Sequence, residues 1–527
     1  MLSRFSCLLA LAVAPLFADP PQPVVINAVT DQFRPLALSQ QKLAGVLGER
    51  IRAAREGYLE HPGEKALLAS RGQTGRYLEA AATAYDYSHD PNLKTMMDRV
   101  AKAFLSGQPG VELASRRDEL LGLLAYYRVT GDEGALTSAK KIGDLVLQPS
   151  NDRALGDEAS LIEPLVYLYR YTGNTRYLNF CESIAHSAGE TVPDLTGLIE
   201  LYRTTGDNSY FRRVTTAWPA LQRKYFALTS TLSEMSNPCN TASWMQLTLN
   251  ILRLTGDPEY GEELEHVIYN QLFAAQDPKT GKSFAAVPVN GVKIASPVDA
   301  CIANEAAGVV AIPPVVWGRY GNGIAVVLYS AGRATFQLRR RGTVQVYSES
   351  AYPSTGEILL HVEPSRNIQF PLRLRVPRWT KNFVVDIGGT HLIGTPGELL
   401  TLVREWKRGD TVRIAIDMTV HVIRTAAPST NEIAIQRGPQ ILALGKTLNP
   451  EITDLADASL ISSEPSQLAV LPRDSRFPAA WAGDQAYTVH GQYRGKPTQL
   501  VLVPFADALD YRVFLKIPNP VSGASDQ

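Results

Sequence analysis

Leu254-Thr255-Gly256-Asp257-Pro258-Glu259-Tyr260 decides the fold of this chain. One helical stretch ends there and another starts at once. Asp257 has the short acceptor side chain of an N-cap, and Pro258 takes the first helical position, where a missing N–H costs nothing. The second helix continues through Leu264, Val267, Ile268 and Leu272. The same junction recurs upstream as Tyr87-Ser88-His89-Asp90-Pro91, Thr130-Gly131-Asp132, Thr172-Gly173-Asn174 and Thr205-Gly206-Asp207. Measured between Asp or Asn positions, the junctions lie 42, 42, 33 and 50 residues apart, the period of a two-helix unit. Such a unit cannot bury its own apolar face and must stack on neighbours. Stacked hairpins close into an α/α toroid or continue as an open solenoid. A toroid has a central funnel where loops from several hairpins converge, a shape suited to extended carbohydrates.

At 527 residues the chain exceeds one ordinary core, so two domains are expected. The 52 basic and 52 acidic side chains cancel, leaving no field to attract a nucleic-acid backbone or an anionic membrane. The substrate is therefore neutral, or recognised by local groups, and the funnel makes an oligosaccharide or polysaccharide the expected partner. Arg4 followed by the apolar run Phe5 to Ala18 and by Asp19-Pro20-Pro21 reads as a signal peptide over residues 1–18, hence export to a periplasm or the medium. No later segment is long and apolar enough to span a bilayer.

Helical spacing begins with Leu43, Val46, Leu47, Ile51 and Ala54 and persists to about residue 310. After Pro313-Pro314 the period drops to two. Strand-length runs include residues 324–329, 335–338, 344–347, 358–362, 369–376, 411–416, 433–435 and 440–444, with others at 487–490 and 500–505. The pattern predicts a helical region over residues 24–310 and antiparallel sheets packed as a β-sandwich over residues 311–519.

Cys239-Asn240-Thr241, Met245-Gln246-Leu247, Leu254-Thr255-Gly256-Asp257, Tyr260, Glu265, Tyr269-Asn270 and Gln276 form one ordered series. Leu374-Arg375-Val376-Pro377-Arg378-Trp379, Trp406-Lys407-Arg408-Gly409-Asp410 and Gln436-Arg437-Gly438-Pro439 form another. Together they resemble secreted β-L-arabinofuranosidases of the glycoside hydrolase family 127 and 146 type, over most of residues 40–450. The resemblance implies a mainly α with β protein, an (α/α)6 barrel followed by an antiparallel β-sandwich. It also implies a retaining enzyme acting on non-reducing arabinofuranosyl ends, with a zinc-held cysteine thiolate as nucleophile and a glutamate as acid/base.

The family's zinc motif is a glutamate two residues before a cysteine, joined later by two adjacent cysteines. Here the first element reads Asn237-Pro238-Cys239 and the second Asp299-Ala300-Cys301, so an amide and an alanine replace two of four donors. Cys239 and Cys301 then bind zinc with a carboxylate such as Asp299, or form a disulfide in an exported protein, or remain two thiols packed as small residues. Cys181 follows Tyr177-Leu178-Asn179-Phe180 in a helical pattern and reads as a core residue.

Glycoside cleavage needs a proton donor and a nucleophile or base. The candidates are Cys301, Asp299, Glu305 and Glu234, the last of these just before the cysteine motif where the resemblance places the acid/base loop. Glu190 and Asp194 are further acids at the funnel mouth, and Glu305 also suits a helix first turn. The stretch His186-Ser187-Ala188-Gly189-Glu190-Thr191 resembles, with an offset of two residues, a helix start lining the family's sugar site. It implies His186 and Glu190 as sugar-binding groups, and Asn304 matches the family's asparagine. Arg71-Gly72-Gln73 and Arg116-Arg117-Asp118-Glu119 lie where they hold sugar hydroxyls or form salt bridges; His266, beside Glu262 and Glu263, reads as structural.

The leading expectation is an exported glycoside hydrolase acting on a non-reducing-end furanosidic or unusual sugar. A polysaccharide lyase would instead assemble Tyr77, His186 and Arg76 around a uronate, and a carbohydrate-binding pseudoenzyme would keep the funnel without a nucleophile. No glycine-rich phosphate loop signals a nucleotide or redox cofactor; zinc enters only through the cysteine motif.

Overall fold

The computed structural model describes residues 21–148, 158–223, 238–295, 302–338, 342–424, 431–465, 468–473, 477 and 484–517; the expected signal peptide lies outside them. The protein mixes helix and strand. Among the described residues twelve helices have nine or more residues. They are α1 Gly45–Ala54, α2 Arg71–Ser88, α3 Pro91–Leu105, α4 Leu113–Thr130, α5 Glu133–Leu147, α6 Ile162–Thr172, α7 Thr175–Ile184, α8 Val192–Thr205, α9 Asn208–Leu221, α10 Pro238–Thr255, α11 Pro258–Val267 and α12 Ile302–Val310.

Each repeated junction joins one of these helices to the next by the same local chemistry. At Thr130-Gly131-Asp132 the glycine has φ of 72°, and its N–H donates to Tyr127 O at 2.8 Å, closing α4. The Thr130 hydroxyl donates back to Tyr126 O at 2.7 Å and accepts from the Asp132 N–H at 3.2 Å. Asp132 then caps α5 by accepting from the Ala135 N–H at 3.0 Å. Gly173, Gly206 and Gly256 repeat the left-handed cap with φ of 69°, 81° and 67°. In the first junction His89 takes the glycine's place at φ 54° and Ser88 the threonine's. The expected N-caps Asp90, Asp132, Asn174, Asp207 and Asp257 all accept from a backbone N–H of the following helix.

Helix packing follows a cycle. α2 packs on α4, α4 on α6, α6 on α8, α8 on α10, α10 on α12, and α12 returns to α2. Helices α3, α5, α7, α9 and α11 each back the inner helix they follow, and α1 backs α12.

The strands form three larger sheets. Five strands run in the order Phe33–Pro35, Trp317–Tyr320, Gly323–Val326, Ile368–Arg375 and Leu399–Trp406. A seven-stranded sheet runs from Thr390–Ile393 to Gln41–Leu43, and a ten-stranded sheet includes Val420–Arg424, Glu432–Arg437 and Gln440–Gly445. One apolar core runs through the helices and the first two sheets, whereas the third sheet has two clusters of its own.

Two details depart from the sequence reading. Residues 33–43, expected to lead into the helical region, supply an edge strand to each of the first two sheets: Phe33–Pro35 pairs with Trp317–Tyr320, and Gln41–Leu43 with Gly332–Leu338. The helical reading up to 310 also passed over Asn290–Val292, which pairs with Asp510–Arg512. Three-residue strands are too short to show a period; distant partners define them.

Candidate active site inside the helical ring

Five of the inner helices, α2, α4, α6, α8 and α10, return at once through the outer helix that follows each. Their C-terminal ends carry the tight junctions and their N-terminal ends receive the longer connections. The polar residues of the inner helices meet between these two ends.

Arg76 of α2 pairs with Glu79 at 2.8 Å and crosses to Asp118 of α4 at 3.0 Å. Glu163, in the first turn of α6, accepts a hydrogen bond from the Tyr167 hydroxyl at 3.1 Å. Burial, then the facing charges of Glu79 and Glu200, push the Glu163 carboxyl up to about 7, against Arg76 and the Tyr167 hydrogen bond. Glu200 of α8 shares the burial, but Arg203, Arg170 and Arg253 outweigh it and hold its carboxyl below the ordinary value. Two carboxyls in one interior are thus driven in opposite directions, which suits one to carry a proton and leaves the other ionised.

Beneath them lies a polar floor. Arg170 reaches Glu200 at 2.6 Å and the Thr204 hydroxyl at 2.7 Å. Arg203, only 2% exposed, pairs with Glu200 and with Asp31 at 3.2 Å; Arg253 reaches Asp31 at 2.8 Å. Residues before Asp31 cross this end of the ring, with Val24 N–H donating to Arg170 O at 2.8 Å and Val29 N–H to Arg203 O at 3.1 Å.

The residues singled out from the sequence are dispersed. Glu234, Asp299 and Cys301 lie outside the described residues, as does the side chain of Cys239, which occupies the first turn of α10. The zinc, disulfide and thiol readings all fall on these atoms. With Asn237 and Ala300 in two donor positions, the motif does not supply the four protein donors of a closed zinc centre. Among the described residues no group of three or more His, Cys, Asp or Glu could hold a metal ion.

Asn304 is partly exposed in the first turn of α12, but its neighbour Glu305 is fully buried. Neither Glu305 carboxyl oxygen has a hydrogen-bond partner among the described residues. Burial holds that carboxyl well above its ordinary value, with Arg50 opposing. His186 and Glu190 are exposed on the connection from α7 to α8. Asp194 is buried in the first turn of α8 and accepts the Gly189 N–H at 2.9 Å, fastening that connection.

Arg71 and the buried Glu119 form a partly buried salt bridge at 2.7 Å, and Glu119 also accepts the Gly110 N–H at 2.7 Å, fastening the connection that leads into α4. Tyr77 is fully buried and donates to Leu59 O at 2.7 Å, away from the exposed His186, so the lyase trio is not assembled. Cys181 is a buried free thiol, as read from the sequence.

Sequence reasoning passed over Glu79, Glu163 and Glu200. A signal existed: Glu163/Tyr167/Arg170, Thr196/Glu200/Arg203 and Gln246/Asn250/Arg253 share one spacing, and each ends on an arginine two residues before a junction threonine. Three polar side chains on one stripe of a helix that is otherwise buried imply a shared wet interior.

Paired helices surround opposed carboxyls and are backed by mainly antiparallel sheets. Comparison with known proteins finds this arrangement among glycoside hydrolases. Residues 221–297 match the GH127 β-L-arabinofuranosidase catalytic domain, and residues 323–418 match the GH127 middle domain. The non-reducing end β-L-arabinofuranosidase of Bifidobacterium longum subsp. longum is 21% identical over 500 residues, covering 71% of this chain and 75% of that protein. In fold, the GH127 β-arabinofuranosidase BT3674 superposes with a TM-score of 0.78 at 19% identity, over 93% of this chain and 98% of that one. A GH127 β-L-arabinofuranosidase from Geobacillus stearothermophilus T6 gives 0.75 at 18% identity, over 91% of this chain and 100% of that one. The chain is thus similar to GH127 β-L-arabinofuranosidases in two sequence segments and in its overall fold.

Proposed function

We propose that this chain is an exported glycoside hydrolase, an (α/α)6 barrel followed by a β-sandwich, that removes non-reducing-end furanosidic sugars, arabinofuranosides first among them. The observation that carries this reading is Glu163: a carboxyl inside the ring, held near 7 by burial and by two facing carboxylates. A group poised there exchanges a proton at neutral pH, which is what departure of an alkoxide requires.

In this reading the Glu163 carboxylic acid protonates the glycosidic oxygen as a nucleophile attacks the anomeric carbon and the carbon–oxygen bond breaks. Water then displaces the enzyme nucleophile and gives its proton to the Glu163 carboxylate. Cys301, the residue before α12 in sequence, is the proposed nucleophile: it attacks as a thiolate after giving its proton to the carboxylate of Asp299 or Glu234, and takes that proton back when water displaces it. Asn304, His186 and Glu190 hold sugar hydroxyls at the mouth.

Release of L-arabinose from a β-L-arabinofuranosyl disaccharide, whose leaving group is an alkoxide, tests the assignment. Glu163→Gln should lower kcat by about a hundredfold or more and remove the fall in rate above neutral pH. Cys301→Ala should abolish turnover in a protein that still folds. A wild-type pH profile in the Glu163→Gln protein would end the acid/base role, and retained turnover in the Cys301→Ala protein would end the thiol's.

A further inference from the structure

Outside the ring, a cleft of about 750 Å³ opens between α9 and α11 on one side and the turns and edge of the sheets on the other. That volume lies within the range of small-molecule sites. Trp218 and Tyr260 line the helical wall; Trp218 stacks on Trp244 with ring centroids 5.4 Å apart and meets Tyr260 edge-on at 5.0 Å. Arg378, Trp379, His421 and Gln436 line the facing wall.

Three of the four glutamates that line the cleft are already engaged. Glu262 pairs with Arg375 at 2.6 Å and accepts the Arg378 N–H at 3.0 Å. Glu265 pairs with Arg375 at 2.7 Å and accepts from the Tyr352 hydroxyl at 2.6 Å and the Trp379 indole at 3.0 Å. Glu263 accepts from the Trp244 indole at 2.8 Å and from Gln222 at 3.2 Å, and burial pushes its carboxyl up to about 7. An anion would meet these acids, and a cation would have to compete with Arg375.

His266 differs from its neighbours. Burial pulls its imidazole down to about 4, so the ring is neutral, and the ring has no hydrogen-bond partner among the described residues. It therefore offers the cleft one donor and one acceptor. Aromatic edges, a neutral imidazole, the Gln436 amide and glutamates already held by Arg375, Trp244 and Gln222 suit a ligand with an apolar face, hydroxyl groups and no net charge.

We infer that this cleft is a second carbohydrate-binding site for a neutral saccharide unit, separate from the ring interior and independent of whether the ring cleaves sugars. The site is built between the helices and the sheets, so an occupied cleft would hold a glycan on the outer wall of the ring.

The test is titration calorimetry with tryptophan fluorescence, using methyl glycosides of arabinofuranose, xylopyranose, galactopyranose and glucopyranose. Proteins compared are the wild type, Glu163→Gln, His266→Ala and Gln436→Ala, with melting temperatures as the folding control. At least one glycoside should bind the wild type saturably, at a Kd on the order of millimolar. His266→Ala and Gln436→Ala should each weaken that binding about tenfold, while Glu163→Gln leaves it unchanged. Absence of saturable binding by the whole panel overturns the inference. So does binding that survives both cleft substitutions, or that disappears with Glu163→Gln. If one cleft variant fails to fold, the other decides alone.

Discussion

The two ends of the helical ring are built from the same helices by opposite rules. At the C-terminal ends of the inner helices, glycine, threonine and an N-capping residue turn the chain through one short junction, repeated with little variation. At the N-terminal ends the connections are longer and are fastened individually, one through Glu119, another through Asp194. Closure at one end thus takes almost no chain, and in the proposed function the other end carries the chemistry on a rigid frame. Glu163 belongs to the open end, whereas Arg203, Arg253 and Asp31 belong to the sealed one.

The sharpest way to break this contrast is at the seal. Gly256 has φ of 67°, and a Cβ there would lie 2.1 Å from the Tyr320 ring. Gly256→Ala should cost about 3 kcal/mol in urea unfolding, through a left-handed residue and an overpacked contact together. Asp31→Ala should cost a similar amount, about 3 kcal/mol, because it leaves Arg203 buried with one anion fewer and strips Arg253 of its carboxylate. Both proteins, while folded, should keep their catalytic rate.

Glu163→Gln should act in the reverse sense. The folded Glu163 carboxyl sits at about 7, above its unfolded value, so the native state holds a proton that the unfolded chain has already lost. Stability therefore falls as pH rises from about 4 to about 7, and a glutamine escapes that fall. Melting at pH 8 should favour the variant by at most about 3 kcal/mol, and the difference should vanish at pH 4. Equal melting at both pH values would remove the buried-acid reading.

Smaller effects sharpen the same comparison. Gly131 has the same backbone conformation as Gly256 but only ordinary contact with Pro21, at 3.8 Å, so Gly131→Ala should cost about 1 kcal/mol. At the mouth, His186→Ala and Glu190→Gln should change stability by less than about 0.5 kcal/mol, since both side chains are exposed. Their signature should be a several-fold rise in KM for the arabinofuranoside with kcat retained.

The sealed end was legible in the sequence because its information is local. A threonine, a glycine and an aspartate fix a C-cap, a turn and an N-cap within a few residues. Strands such as Gly342–Ser350 and Glu357–Pro364 were legible for the same reason, since alternation is written along one segment. The site was not. Residues 79, 163 and 200 have no relation along the chain, and only the return of α12 to α2 brings their helices around one interior. The Phe383–Ile387 and Leu399–Trp406 strands also escaped notice: the first has only 5 residues, and in the second Val403 sets an apolar side chain on the exposed face. His266, read as structural, lines a cleft whose other wall lies more than a hundred residues further on.

The edge strands Phe33–Pro35 and Gln41–Leu43 carry a consequence for biogenesis. Their partners, Trp317–Tyr320 and Gly332–Leu338, follow about three hundred residues later in synthesis. Until those residues emerge, the leading segment has no ladder to join, and unpaired backbone is an invitation to aggregate. Maturation of this protein is therefore paced by the arrival of its middle rather than its beginning, and a holdase that shields the first fifty or so residues would raise its yield more than one acting at the tail.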